Sequence, residues 1–338
     1  MKKNIIILMM VVSLFSSGML FAQGQGESGA DKPVKIGITT PSADHGWTGG
    51  IVWWVNKRIG EYEQKYGDKF EFTYVTADSS AKQVEAVDNL LSKGIEYLVI
   101  LPVESAPLTS TVKAAHNQGV KCIVVDRGLT DTSFGYINLA GDNTMFGEVA
   151  GEWVAQQMIE KSNGGNLVVM GGMPVEIDKE RMSAFFKGID AEPSIVNLMG
   201  KDKYEFANWS TQKGLEVMET FLTKYPHIDA VFCQDDDVLT GVLKAYEESG
   251  RNDIHTFFGG AGSKVVIKKI LDGDPLVRAT VTYPADMAAV GLDYAVDVAL
   301  GNKSDDFHDK NTLTNVVLPS VLITEENAAE YYQPDSIY

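Results

Sequence analysis

Three segments decide the fold: FEFTYV at residues 70–75, KQVEAVDNLLSK at 82–93 and YLVIL at 97–101. In the middle segment, apolar residues recur at the three- and four-residue spacing of an amphipathic helix. The two flanking segments are short apolar runs rich in β-branched and aromatic residues, which favours strands. A strand, a helix and a second strand in succession are typical of a parallel sheet that is covered on both faces.

The same alternation continues in both directions along the chain. Ten apolar runs predict strands: Val34–Ile38, Phe70–Val75, Tyr97–Leu101, Val120–Val125, Asn166–Met170, Ile195–Met199, Ala230–Phe232, Thr256–Phe258, Val277–Val281 and Val316–Ile323. Four of them precede residue 126 and five lie between residues 166 and 281, so the two halves are alike. We predict an α/β protein with two similar doubly wound parallel-sheet lobes and a ligand cleft between them.

The N-terminus predicts export. Lys2 and Lys3 precede the apolar run Ile5–Phe15. Ser16-Ser17-Gly18 then weakens the helix, and the small residue Ala22 follows at a plausible cleavage point. This order is that of a secretory signal peptide, which we place at residues 1–22. An uncleaved N-terminal membrane anchor is the alternative. Residues 23–32 are rich in Gly, Ser, Gln and Glu and predict a flexible lead-in.

Composition excludes several classes of partner. The net charge of −17 argues against nucleic acid, whose phosphates require Lys and Arg, and against anionic lipid surfaces. The remaining chain is long enough for two domains of about 150 residues each.

Cys122 and Cys233 each lie inside an apolar run, and we expect two separate buried thiols rather than a disulfide, because the two runs belong to different lobes.

In parallel sheets, ligands bind at the carboxyl ends of the strands, so the residues after each apolar run are candidates. Asp126 and Arg127 follow one run, Asp235 follows another, and Trp209 opens a helix. Carboxylates and guanidinium groups form strong hydrogen bonds with hydroxyls, and indole faces cover the C–H faces of a sugar ring. This chemistry predicts a small ligand rich in hydroxyl groups.

From about Val34 to Thr324 the chain resembles the periplasmic sugar-binding proteins of the ribose-binding type. Four motifs carry the resemblance, in this order and spacing: Ile123–Arg127, Leu139–Asn143, Lys179–Arg181 and Ala230–Asp236. The resemblance implies a hinge of several strands between the lobes. It also implies lobes made of residues 33–141 with 284–312, and of residues 142–283 with 313–338.

The resemblance assigns roles to individual residues. Asp126 and Arg127 match the ligand pair at the end of the fourth strand, Arg181 matches an arginine that reaches the sugar from the second lobe, Trp209 matches a ring-covering aromatic, and Asp235 matches a hydroxyl-binding asparagine. The predicted site contains ten residues: Asp44, His45, Trp47, Asp126, Arg127, Lys179, Arg181, Trp209, Asp235 and Tyr283.

The chain departs from the ribose type around these matches. His45 stands where the ribose type has asparagine, and Trp47-Thr48 stands where it has two phenylalanines. Leu101 replaces a polar ligand residue, Gly260 replaces an aspartate, and Tyr283 replaces a glutamine. Ribose itself is therefore in doubt as the ligand.

The function implied is capture of a small sugar or polyol between closing lobes and delivery to the membrane subunits of an ABC importer. Service to a chemoreceptor is compatible with that role. We expect a monomer located in the periplasm, without cofactor, metal, nucleic-acid partner or enzymatic activity.

Several residues have a plainer alternative. One of Asp236 and Asp237 is expected to cap the following helix, which leaves Asp235 for the ligand, and a Ca²⁺ or Mg²⁺ site on this acidic run is a second alternative. Lys179 could instead pair with the neighbouring Glu176 or Glu180. Trp47 could instead pack beneath its own loop at the start of the helix.

Two rival functions share some of these features. A sugar-responsive repressor would carry an N-terminal helix-turn-helix where this chain has the predicted signal peptide. A sugar hydrolase would need a carboxylate pair, which Asp44, Asp126 and Asp235 could supply.

Overall fold

The central strands of each sheet are nearly continuous apolar runs because helices cover both faces of the sheet. Tyr97–Ile100, for example, is buried along its whole length. The structure is a computed structural model that describes residues 32–338. The predicted signal peptide, its cleavage point and nearly all of the lead-in lie outside the described residues.

The elements alternate along the chain as the sequence predicts. The strands are β1 Val34–Pro41, β2 Phe70–Ala77, β3 Tyr97–Ile100, β4 Lys121–Val125, β5 Ile137–Gly141, β6 Gly165–Gly171, β7 Ile195–Asn197, β8 Glu205–Phe206, β9 Ala230–Cys233, β10 Thr256–Phe258, β11 Ala279–Val281, β12 Thr314–Leu318 and β13 Leu322–Thr324. The α-helices are α1 Gly46–Tyr66, α2 Ser80–Ser92, α3 Ser105–Asn117, α4 Asn143–Ser162, α5 Glu176–Asp190, α6 Thr211–Lys224, α7 Asp236–Ser249, α8 Lys264–Leu271, α9 Met287–Ala299, α10 Asp306–Asp309 and α11 Ala328–Tyr331.

The first sheet has six parallel strands in the order β12-β5-β4-β3-β1-β2. The strand order reverses between β1 and β3, which is the switch point of a doubly wound sheet. Helix α9 packs against β1, β3 and β4, and helix α2 packs against β1 and β2. This sheet and its helices form the first lobe.

The second sheet has five strands, in the order β10-β9-β6-β7 with β8 also on β6, and all its pairs are parallel. Its order reverses between β6 and β9, as in the first sheet. The antiparallel pair β11 and β13 lies beside it. The predicted fold class, two doubly wound parallel-sheet lobes, is therefore confirmed.

Between the lobes the chain crosses three times: after β5, between β11 and α9, and between β12 and β13. The prediction that residues 313–338 belong wholly to the second lobe is wrong, since Thr314–Leu318 pairs with β5 in the first sheet. We therefore define the first lobe as residues 33–141 with 284–318, and the second lobe as residues 142–283 with 319–338.

The single strand predicted at Val316–Ile323 is also wrong, because the structure divides it into β12 and β13. Pro319 lies between them, where its ring removes a backbone donor and ends pairing. The Ser320 hydroxyl then donates to the Asp142 carbonyl oxygen at 3.0 Å, which ties two crossings together. Strand β5 was missing from the predicted strands, since its three buried residues alternate with two half-buried ones and its apolar run is short.

Cys122 in β4 and Cys233 in β9 lie in different sheets, and both are fully buried free thiols. The expectation of two separate thiols is confirmed. Within residues 32–338, no helix is long and apolar enough to cross a membrane.

Candidate ligand-binding cleft

The loop after β1 is held by a local network of hydrogen bonds. The Thr48 hydroxyl accepts from the backbone N–H groups of Asp44 and His45, at 3.1 and 3.2 Å, and donates to Oδ1 of Asp44 at 2.8 Å. Nδ1 of His45 lies 2.6 Å from the same oxygen. Burial by itself would raise the pKa of Asp44, but the hydrogen bonds from Thr48 and His45 hold that pKa below its ordinary value. His45 is therefore fixed at the start of α1.

Trp47 is the second residue of that helix and is only 7% exposed. Its indole N–H donates to the backbone oxygen of Tyr283 at 3.0 Å. The indole stacks on the His45 ring with centroids 6.5 Å apart and contacts the Tyr283 ring at 5.8 Å. Trp47 thus packs closely, as the plainer alternative expects, and still presents part of its ring to the cleft.

Asp126 directly follows β4 and has a left-handed backbone conformation, with φ of 62°. Aspartate tolerates this conformation better than most residues, and sites of backbone strain cluster at functional sites. Its Oδ1 accepts from the Tyr283 hydroxyl at 2.5 Å, and its Oδ2 lies 3.6 Å from Nε of Arg127. Arg127 also donates to the carbonyl oxygen of Val103, which links the ends of β3 and β4.

Arg181 reaches the cleft from α5 in the second lobe. Its guanidinium lies over the Tyr283 ring at 4.1 Å and over the Phe146 ring at 4.5 Å, both within cation–π range. Its Nε donates to Oδ1 of Asn143 at 2.9 Å. The charge is thus 94% buried yet positioned largely by aromatic faces, which leaves guanidinium N–H groups available to a ligand.

Asp235 caps helix α7, because its Oδ1 accepts from the backbone N–H groups of Asp237 and Val238. The prediction that Asp236 or Asp237 provides the cap is wrong. Burial and the neighbouring Asp237 raise the pKa of Asp235 to about 7. Its second carboxylate oxygen makes no hydrogen bond within the part of the chain described, and Asp235 lines the cleft.

The other two carboxylates of the run bond elsewhere. Asp236 is fully buried and accepts from the Ser263 N–H at 2.6 Å and the Thr280 hydroxyl at 3.0 Å. Asp237 accepts from the Gly46 N–H at 2.9 Å, a bond between the two lobes. Within residues 32–338, no group of three or more His, Cys, Asp or Glu side chains could hold a metal ion.

Trp209 precedes α6 and, like Asn208, has a positive φ, 51° and 54° respectively. Its indole N–H donates to Oε1 of Gln234 at 3.2 Å, and Nε2 of Gln234 donates to Oδ1 of Asp178 at 2.9 Å. The Tyr204 hydroxyl donates to the other oxygen of Asp178 at 2.8 Å. The prediction did not include Gln234, Asp178 or Tyr204, although Gln234 lies two residues after the predicted strand Ala230–Phe232 and directly after β9, which marks it as a candidate.

The structure brings eight of the ten predicted residues to one cavity between the lobes. They are His45, Trp47, Asp126, Arg127, Arg181, Trp209, Asp235 and Tyr283. Ile177 and Ala261 complete its lining and were not predicted, since apolar contacts of this kind leave no sequence signal. The volume of this cavity is about 40 Å³. An outer cavity of about 630 Å³ shares His45, Arg127 and Trp209 with it.

The remaining two predicted residues lie outside this deep cavity. Asp44 is exposed and lines the outer cavity. Lys179 lines neither: its side chain is 75% exposed and its Nζ lies 3.5 Å from Oε1 of Glu176. The assignment of Lys179 to the site is wrong, because the helical turn that places Arg181 in the cleft rotates Lys179 toward solvent.

The comparisons with known proteins agree with this architecture. The family model for the periplasmic binding protein domain matches residues 36–303, which is most of the chain. This chain belongs to the periplasmic binding protein family. The family consists of substrate-binding proteins of transporters and not of enzymes, which confirms the expectation that this chain is not an enzyme.

Two relatives of this periplasmic binding protein cover most of its length. The ribose import binding protein RbsB of Escherichia coli K12 is 29% identical over 244 residues, 71% of this chain and 79% of its own. The D-xylose-binding periplasmic protein of Haemophilus influenzae is 26% identical over 292 residues, 81% of this chain and 84% of its own.

A solved structure shows the same fold. The solute-binding protein of an ABC transporter from Bacillus halodurans C-125, with bound myo-inositol, superposes with a TM-score of 0.72 at 20% identity. The match covers 90% of this chain and 99% of that protein.

The departures from the ribose type have a steric cause in this periplasmic binding protein. A Cβ at Gly260 would lie 2.4 Å from Cζ of Phe146, so the aspartate of the ribose type does not fit. A Cβ at Gly141 would lie 2.2 Å from Cε2 of Tyr283, whose ring therefore requires that glycine. Leu101 is fully buried in the core. On this side of the cleft the Tyr283 ring stands where the ribose type has a glutamine, and the Phe146 ring fills the space beside Gly260.

Proposed function

We propose that this periplasmic binding protein captures a small, uncharged sugar or polyol between its lobes and delivers it to an ABC importer. One observation carries the proposal: carboxylates, guanidinium groups and indoles from two separate lobes line a single cavity. Each lobe supplies one carboxylate, one guanidinium group and one indole, so the six groups meet only between the lobes.

Each group has a role in binding hydroxyls. The free oxygen of Asp235 accepts from a hydroxyl, and Arg127 and Arg181 donate to hydroxyl oxygens. Hydrogen bonds to charged groups contribute about 1.5–3 kcal/mol each, and the indoles of Trp47 and Trp209 add apolar contact with ring C–H groups. Several such contacts, reduced by the cost of immobilisation, give affinities near micromolar, about −8 kcal/mol.

Size favours a small ligand that extends outward. The deep cavity of about 40 Å³ is far below the range of about 300–1,000 Å³ typical of ligand sites. The outer cavity of about 630 Å³ opens beside Arg127 and Trp209. A bound ring therefore occupies the region where the two cavities meet and is covered by Trp209.

Closure of the lobes is the mechanism that the geometry supports. A solute that contacts Arg127 in the first lobe and Arg181 in the second binds the closed form best, so it shifts the population toward that form. The bond from the Gly46 N–H to Asp237 joins the lobes at the same edge. The importer membrane subunits, and a chemoreceptor if one is served, recognise the closed monomer.

The relatives support location and ligand class. Their names describe a ribose import protein, a periplasmic xylose-binding protein and a transporter protein with bound myo-inositol. We propose that this chain acts in the periplasm after removal of residues 1–22. Osmotic-shock release of a chain that begins near Gln23 supports this, and recovery of the full-length chain in membranes contradicts it.

The test of ligand class is calorimetric titration with D-ribose, D-xylose and myo-inositol, with L-leucine as the control solute. Native mass spectrometry of the freshly purified protein identifies any solute that copurifies. Binding of at least one of these sugars or polyols, or a copurified polyhydroxyl compound, is expected. Binding of L-leucine alone, or a charged copurified solute, overturns the proposal.

A further inference from the structure

The segment Ser336–Tyr338, called the strap here, connects the lobes outside the ligand cavity. It follows α11 in the second lobe, where Ala328 belongs to the apolar core and Tyr331 packs against that core. Lys264, the first residue of α8, donates from Nζ to the carbonyl oxygens of Pro334 and Ser336. The Ser336 hydroxyl donates to the Tyr338 carbonyl oxygen at 2.6 Å. The strap is thus fixed to the second lobe.

From there, Tyr338 packs against the first turns of α1 in the first lobe. A Cβ at Gly46 would lie 2.7 Å from Cδ2 of Tyr338, and a Cβ at Gly50 would lie 2.9 Å from its Cβ. Gly46 and Gly50 share one face of the helix at the four-residue spacing. The absence of side chains at both positions is what admits the tyrosine, which is 8% exposed.

The hydroxyl of Tyr338 is buried without a hydrogen-bond partner among the described residues. It lies near the carboxylates of Asp235, Asp236 and Asp237 and near Arg181. Burial and those carboxylates hold the pKa of Tyr338 well above its ordinary value, so the hydroxyl stays neutral. A buried hydroxyl without a partner costs free energy, so the packing of the ring is the contact that favours this position.

Gly46 links the strap to the ligand site. Its N–H donates to Asp237 across the lobes, and its neighbours His45 and Trp47 both line the deep cavity. We propose that Tyr338 is a positioning residue for the ligand site, which holds the N-terminal turn of α1 against Asp237 and so sets how long the lobes stay closed on a solute. This inference rests on the proposed function.

The contact itself is tested by cross-linking, which needs no ligand. In a Gly50→Cys/Tyr338→Cys variant the two Cβ atoms lie within about 1 Å of disulfide spacing, so oxidation should join them. The matched control is Gly60→Cys/Tyr338→Cys, because Gly60 lies about 15 Å farther along α1 and nothing lies within 4 Å of its Cβ position. Both native cysteines are buried. Failure of the first pair to cross-link, or equal cross-linking of both, overturns the proposal.

The effect on binding is tested with D-ribose, D-xylose and myo-inositol. Tyr338→Ala should weaken binding of whichever probe the native protein binds by about tenfold, through faster release at an unchanged association rate. Tyr338→Phe keeps the ring and should retain native affinity, and Val196→Ala, at a 52% exposed position in β7 away from the strap, should leave affinity and release rate unchanged. Native affinity and release rate in Tyr338→Ala overturn the proposal.

The two proposals fail differently. If the native protein binds none of the three probes and copurifies with no polyhydroxyl compound, the ligand class is wrong, and hydrogen exchange then tests the role of the strap independently. In that case Tyr338→Ala should speed exchange of the Gly46 amide, while the amides of β3 keep their protection. An unchanged exchange rate of the Gly46 amide overturns the proposal that Tyr338 holds the N-terminal turn of α1 in place.

Discussion

The Tyr283 hydroxyl donates a 2.5 Å hydrogen bond to Oδ1 of Asp126, and this bond joins a crossing between the lobes to the end of β4. The guanidinium of Arg181 covers the same tyrosine ring at 4.1 Å. Tyr283, which departs from the ribose type, therefore contacts Asp126 and Arg181, which both match that type. The site is rebuilt around this tyrosine.

Tyr283→Phe should lower the free energy of unfolding by about 1–3 kcal/mol, because Asp126 is buried and loses a hydrogen-bond donor. Urea denaturation followed by circular dichroism measures the loss. Tyr225→Phe is the matched control, since the Tyr225 hydroxyl is buried without a partner among the described residues. Equal losses in the two variants would show that the bond to Asp126 does not stabilise the fold.

Arg181→Ala should weaken binding of the cognate solute by about 2 kcal/mol or more, because hydroxyls in the closed cleft lose a charged donor. Arg127→Ala should act in the same direction. Lys179→Ala, two residues from Arg181 but exposed to solvent, should leave calorimetric affinity unchanged. A Lys179→Ala variant that loses as much affinity as Arg181→Ala contradicts the placement of the site.

Ligand should change tryptophan emission, because Trp47 and Trp209 both line the deep cavity. The change should shrink in Trp47→Leu and in Trp209→Leu, and each variant should lose about 1 kcal/mol or more of binding free energy. Trp153, which packs on Phe258 at 5.0 Å, provides the control variant Trp153→Leu. If only the Trp153 variant loses the spectral change, the response arises outside the cleft.

Protonation of Asp235 should stabilise the protein. Its pKa is about 7 in the folded chain, raised by burial and by Asp237, and lies near 3.8 otherwise. The folded state therefore binds the proton more tightly, so this contribution to the free energy of unfolding is largest at low pH and is lost as the pH rises through about 7.

Asp235→Asn should reduce that pH dependence between about pH 5.5 and 8, because asparagine is neutral throughout and caps a helix equally well. Denaturant titrations at both pH values measure it. Asp236 and Asp237 also have raised pKa values through burial, so some dependence remains. A slope identical to that of the native protein would show that Asp235 does not titrate in this range.

Much of the cleft could be predicted from the sequence because strand ends are local features. Asp126 and Arg127 directly follow a buried run, and parallel strands bring such ends to one edge. Lys179 was misplaced because the rotation of α5 about its axis is set by packing, which the motif does not contain. Asp235 was misassigned to ligand alone, since a carboxylate at a helix start can both cap the helix and line the cavity.

The alternation of strands and helices, the two-lobed fold and most of the residues at the cleft follow from local sequence patterns, because each depends on short-range periodicity and on position after a strand. The pairing of β12 with the first sheet, the bond between Tyr283 and Asp126, and the packing of Tyr338 on Gly46 and Gly50 arise only in the folded protein. These contacts join segments far apart in the chain, and the free space that admits each ring exists only once both lobes have folded.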